Sequence, residues 1–152
     1  MPQRLTFAPV DFERQTLADG LAAAGFDAGA PAMFSWLGVT MYLTGEAFDA
    51  SLDFIASRPT GTAVIFYYAV DRASLPMLGR FALSMLERRV AMAGEPFRTF
   101  MQPAALGRRL ADAGFVSVED LGAAELNERY FAGRPDNLRV AGNIGRLVIA
   151  RR

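Results

Sequence analysis

Residues 63–69 read AVIFYYA, an apolar run with no break in it. A strand of this kind, apolar at every position rather than at every second one, suits a parallel sheet covered on both faces. Helical stretches should therefore flank it, and they do. Upstream, Thr44 is placed to cap a helix whose apolar face is Phe48, Leu52 and Ile55, closed by Pro59 and Gly61. Downstream, Leu75–Met92 reads as a helix with Leu78, Phe81, Met85 and Met92 on one side, broken by Gly94-Glu95-Pro96.

The remaining segments extend the alternation. Arg4–Val10 reads as a short strand, and Gln15–Ala24 as a helix with Leu17, Leu21 and Ala24 at helical spacing and Gly25 as its stop. Ala32–Trp36 is a second strand. Pro103–Ala113 is a helix with a Leu106, Leu110 and Ala113 stripe, ended by Gly114. Phe115–Leu121 is a strand, Ala123–Tyr130 a short helix or turn, Gly133–Gly145 a loop and Leu147–Ala150 a last strand. Strands alternating with helices predict an α/β sheet, mostly parallel, with right-handed crossovers. No convincing long helix joins the last two strands, so the final one is free to run antiparallel. No repeat or linker divides the 152 residues, which are the size of one domain.

Composition removes several chemistries. The chain has no Cys, no His and, on inspection, no Lys, so thiolate and imidazole metal sites, a Ser-His-Asp triad and Schiff-base catalysis are unavailable to it. Sixteen basic residues balance sixteen acidic ones, which takes away the electrostatic case for nucleic acid. No apolar stretch reaches the length of a membrane span and no secretory signal is visible, so a cytoplasmic protein is expected. Carboxylate, phenol, hydroxyl and guanidinium remain for chemistry.

Four stretches carry a likeness. Pro9-Val10-Asp11-Phe12-Glu13, then FSWLGVTMYLT over Phe34–Thr44, Gly94-Glu95-Pro96-Phe97, and ELNERYFAGR over Glu125–Arg134 follow one another in a familiar order. On these the chain resembles the second half of the leucine carboxyl methyltransferase family, whose members are class I S-adenosylmethionine-dependent methyltransferases. The resemblance implies a Rossmann-like sheet lacking its first two strands. Arg4–Val10 would be the third strand, Ala32–Trp36 the fourth, Ala63–Ala69 the fifth, and the last two strands the sixth and seventh. No Gly-rich turn follows any strand, so the first strand with such a turn and the second with its ribose-binding acid, which the resemblance implies, are expected to be missing here. In the family the missing strands lie between the third and fourth. Their absence would leave an apolar edge exposed, an aggregation hazard. Three outcomes are expected from that: a start upstream of Met1, re-pairing of the strands, or cover of the edge by a second chain, which includes self-association.

The resemblance also implies site residues. Asp11 and Phe12 stand at the family's adenine contacts, and Ser35, Trp36 and Leu37 beside the reactive methyl of S-adenosylmethionine. Many members carry a Glu where this chain has Leu37, before Gly38. Trp36 would wall the site or pack in the core. Tyr42, Tyr68, Arg98 and Arg129 are weaker candidates for the methyl acceptor, each with a structural alternative. Tyr67 and Tyr68 should point to opposite faces, and Glu95 lies within a matching motif. The Leu75–Met92 stripe reads as a substrate lid or as plain packing. No metal site is expected, and no residue is assigned to catalysis. Methyl transfer from a sulfonium needs the nucleophile held in line. A carboxylate acceptor requires no base, which tilts the expectation towards O-methylation of a small carboxylate, with a hydroxyl as the alternative. The rival reading is a non-catalytic remnant or binding module.

Overall fold

The structure, a computed structural model, describes residues 5–12 and 14–152. Four strands form one sheet: β1 (Met33–Trp36), β2 (Ala63–Ala69), β3 (Ser117–Leu121) and β4 (Gly145–Arg151), in the order β1-β2-β4-β3. β1 and β2 are parallel, and β4 runs antiparallel to both β2 and β3. Three strands thus share one direction and the fourth is reversed. Because the reversed strand sits inside the sheet, two of the three pairings are antiparallel, more than a mostly parallel sheet suggests.

The helices are α1 (Leu17–Ala23), α2 (Gly45–Ala56), α3 (Met77–Met92), α4 (Pro103–Asp112) and the short α5 (Ala123–Leu126), which continues as a π-turn over Asn127–Phe131. Local chemistry sets their ends. Thr16 caps α1, its hydroxyl accepting from the Asp19 N–H at 3.1 Å, and Thr44 caps α2 through the Ala47 N–H at 3.2 Å. Pro103 starts α4, where its missing N–H costs nothing, and Gly114 leaves it with φ +92°.

α2 and α4 cover the face of the sheet that carries Val64, Phe66 and Tyr68. Leu52, Ile55 and Leu110 reach it from the helices and are fully buried with Val148 of β4. Trp36, Phe48 and Phe66 form its aromatic centre; Trp36 stacks on Phe48 with ring centroids 5.4 Å apart. Arg109 of α4 reaches Asp49 and Asp53 of α2 and holds the two helices side by side; Asp53, more than Asp49, keeps its guanidinium above the usual pKa.

Three expectations change here. Residues 5–10 form no strand; Arg4 lies outside the described residues. Their backbone meets no partner strand, and an isolated extended segment has no ladder to hold it. The AVIFYYA run is buried in alternation rather than throughout: Val64, Phe66 and Tyr68 are buried while Ala63, Ile65 and Tyr67 are only half-buried. The long helices lie on one face, so the other is left less covered. Finally, the helix expected from Leu75 begins at Met77, after Pro76, and its Leu78, Phe81, Met85 and Met92 stripe faces solvent. Leu83, with half-buried Leu86 and Val90, is the side that packs.

Candidate functional site

The carboxyl end of β1 leads through Gly38, at φ +72°, into a 3-10 turn over Thr40–Tyr42 and then into α2. The mouth of an open α/β sheet, beyond the carboxyl ends of its strands, is where such folds bind ligands. Buried Thr40 anchors the turn, donating its hydroxyl to the Tyr67 carbonyl of β2 at 2.5 Å. The strap that follows α3 is pinned to the same turn. The Arg98 N–H donates to the Met41 carbonyl at 2.7 Å, and the Thr99 hydroxyl to that of Leu43 at 2.5 Å. Phe97 of the strap meets Tyr42 edge-on at 5.6 Å. Further along, the Met101 N–H donates to the Ala69 carbonyl at 2.9 Å.

A cleft of about 860 Å³ opens between this strap, the start of α2 and the segment leading into α1. Its walls include Phe12, Thr16, Tyr42, Glu46, Glu95 and Arg98. Two aromatic rings, a guanidinium and two carboxylates suit a small molecule with an apolar body and a polar group, a common make-up for ligand sites. Among the described residues no cluster of acidic side chains could hold a metal ion.

The structure brings Phe12, Tyr42, Glu95 and Arg98 to one cleft, although they come from three separate stretches of sequence. Asp11 lies next to Phe12 at the start of a turn, its carbonyl accepting from the Arg14 and Gln15 N–H groups and its carboxylate 3.4 Å from the Arg14 guanidinium. Ser35 and Leu37 are exposed at β1, which has no partner beyond β2 among the described residues. An added Cβ on Gly38 would meet nothing within 4 Å, so the space beside them is open.

The other candidates lie elsewhere. Trp36 is in the core against Phe48, behind β1. Tyr67 and Tyr68 do point to opposite faces, and Tyr68 is fully buried, its hydroxyl donating to Asp120 at 2.9 Å. Burial, then the Asp120 carboxylate, push the Tyr68 phenol well above its ordinary pKa; burial alone raises Tyr67. Arg129 pairs with Glu119 of β3 at 2.8 Å, on a part of the fold outside the cleft. Glu119 also holds Arg151 at 2.8 Å, and Arg151 first, then Arg129, draw its carboxyl below the usual range. The ELNERYFAGR stretch therefore works as a brace. Asn127 within it makes two hydrogen bonds to Val140, fixing the loop that returns to β4.

Sequence reasoning passed over Thr16 and Glu46. Both were legible only as helix-start residues: Thr16 as a cap, Glu46 as an acid in the first turn of α2. Nothing local says that the two helix starts face each other across a cleft.

The fold is shared with solved proteins. A methyltransferase-fold protein from Thermobifida fusca YX, assigned as a methyltransferase, superposes with a TM-score of 0.58 at 22% identity, over 87% of this chain and 48% of that one. Human N-acetylserotonin methyltransferase, solved in complex with SAM, superposes with a TM-score of 0.50 at 15% identity, over 99% of this chain and 36% of that one. The fold is that of the class I S-adenosylmethionine-dependent methyltransferases, represented by four strands among the described residues.

Sequence takes the assignment a step further. Residues 1–56 match the leucine carboxyl methyltransferase family, so the resemblance holds over that stretch and the chain is consistent with a partial domain of that family. It is also 29% identical over 140 residues to YktD of Bacillus subtilis (strain 168), assigned as an S-adenosyl-L-methionine-dependent methyltransferase. The match covers 91% of this chain and 45% of YktD, so the chain spans about half the length of this relative.

Proposed function

We propose that this chain is part of an S-adenosylmethionine-dependent O-methyltransferase, with the cleft beyond β1 receiving a small-molecule acceptor. The observation that carries the reading is the convergence of Phe12, Tyr42 and Arg98 on one cleft at the carboxyl end of a strand. The cofactor belongs towards Asp11, Ser35 and Leu37, where the side chains are exposed and the space beside Gly38 is open. When bound, it supplies a methyl group already activated on a sulfonium.

The chain's own residues then divide the remaining work. Asp11 accepts a hydrogen bond from the adenine amine, and Phe12 packs near the ring while walling the cleft. Arg98 offers a two-pronged donor to an acceptor carboxylate. For a hydroxyl acceptor, Glu46 and Glu95 are the carboxylates in the cleft able to take the proton. Trp36 contributes by holding β1 against α2 rather than by touching a ligand. Tyr68 and Arg129 contribute to the fold.

A non-catalytic binding module is the second reading. It is favoured by Leu37, exposed at the end of β1 where many members of the resembled family carry a Glu. Equilibrium dialysis with S-adenosylmethionine tests the first reading. The expected result is measurable binding, weaker than micromolar, that Asp11→Ala weakens further. No binding at millimolar cofactor would remove the cofactor assignment.

A further inference from the structure

The outer side of α3 is an apolar stripe with nothing among the described residues packed over it. Leu78 is 83% exposed, Phe81 69%, Met85 54% and Met92 83%, whereas Leu83 on the opposite side is 1% exposed. The inner side is tied down as well. Arg72 bonds the Ser84 hydroxyl at 2.8 Å and Glu87 at 2.6 Å, and the Arg80 Nε donates to the Leu75 carbonyl at 2.9 Å. The helix is therefore held in place by one face while it presents hydrophobic side chains on the other. Contiguous exposed apolar surface of this kind marks an interaction site.

We infer that this stripe is a self-pairing surface, on which α3 of a second copy packs antiparallel. Three features select a second copy. First, Leu78, Phe81, Met85, Arg88 and Met92 follow one another at spacings of three and four residues, the heptad seam that a facing helix of the same pattern interlocks with. A two-fold axis near Leu83 sets Phe81 of each copy against Met85 of the other, a sulfur–aromatic contact made twice. The flanking Ala82 is small and permits close approach.

Second, the charges allow it. The chain carries no net formal charge, which favours association. In this register Arg88 lies over Leu78 of the other copy, its stem on the apolar side chain and its head in water. The two Arg88 residues are ten positions apart along the helices, about 15 Å, beyond a screening length of about 8 Å at physiological salt. A parallel pairing would instead stack Arg88 on Arg88.

Third, the area suffices. Phe81 alone can bury on the order of 150 Å². With Met77, Leu78, Met85 and the stem of Arg88 from both copies, the total comes to roughly the 1,000 Å² expected of a specific interface.

The test exploits a chain with no native cysteine. Sedimentation of the 152-residue protein at micromolar to submillimolar concentration is predicted to show a monomer–dimer equilibrium. Phe81→Glu, and independently Met85→Glu, should weaken it at least about 30-fold with an unchanged far-ultraviolet circular dichroism spectrum, since both side chains are more than half exposed within one copy. Ala82→Cys should form a disulfide-linked dimer on mild oxidation, because residue 82 and its counterpart fall within one turn of each other. Ala91→Cys should not, its counterpart being about 24 Å away along the axis. A monomer throughout, a dimer indifferent to both substitutions, or ready cross-linking through Ala91→Cys would each overturn the inference, whatever else binds the stripe.

Discussion

Tyr68 of β2 and Asp120 of β3 are joined across the reversed strand between them: the Tyr68 hydroxyl donates to Asp120 Oδ2 at 2.9 Å. Arg146 of that intervening strand donates its Nε to the other carboxylate oxygen at 2.8 Å and an Nη to the Asp120 carbonyl at 3.0 Å. One carboxylate thus ties three strands together. Tyr68→Phe should lower stability by about 1 kcal/mol, the net worth of a neutral donor's bond. Asp120→Ala should cost about 2–3 kcal/mol, because it leaves a buried phenol without its acceptor and takes the charged one of Arg146's two. Urea denaturation of the two variants checks the ordering.

The same phenol gives an alkaline prediction. Its pKa is raised in the folded protein, by burial first and by Asp120 next. The contribution is therefore complete below the unfolded value of about 10 and is lost as pH rises above it, because the unfolded chain gives up its proton first. The urea midpoint should fall from about pH 10 upward. Tyr68→Phe should flatten that fall while leaving a shallower one from Tyr67, which is also raised by burial.

Gly145, the first residue of β4, is fixed by Tyr67. An added Cβ would lie 1.4 Å from the Tyr67 hydroxyl oxygen and 2.0 Å from its ring carbon. Gly145→Ala should cost about 1–3 kcal/mol as the ring is displaced. The double variant with Tyr67→Phe should recover part of the loss, which thermal unfolding would show. Additivity of the two would contradict the contact.

In the cleft, Arg98→Gln should weaken binding of a simple aromatic carboxylate such as benzoate about tenfold, the loss of one charge-assisted pair. It should leave binding of benzyl alcohol unchanged. Equal loss for both probes would remove the carboxylate assignment and leave Arg98 as part of the wall.

Much of this architecture can be read along the chain, and the reasons differ by element. α2 and α4 are legible because capping and apolar spacing are local: Thr44, Phe48, Leu52 and Ile55 say the same thing at once, as do Pro103, Leu106, Leu110 and Gly114. β2 is legible as a strand, but its burial is not, since the covering of a face depends on helices elsewhere. The α3 stripe shows the reverse error. Periodicity identifies an apolar face without saying that anything within the chain meets it. Residues 5–10 have strand composition but no partner strand among the described residues, and pairing is a property of two segments. Of the side chains that line the cleft, Phe12, Tyr42 and Arg98 stand in or beside the stretches that carry the resemblance, whereas Glu46 reads as an ordinary acid in the first turn of a helix.

The central claim, a methyltransferase cofactor side at β1 next to an acceptor cleft, is tested most directly by titrating the ¹⁵N-labelled chain with S-adenosylhomocysteine and following backbone amide shifts. The account predicts saturable changes at Asp11, Phe12, Ser35 and Leu37 and at the Tyr42–Thr44 rim, with β3 and α5 unaffected. Changes centred on β3 and α5, or no change at millimolar ligand, would contradict it.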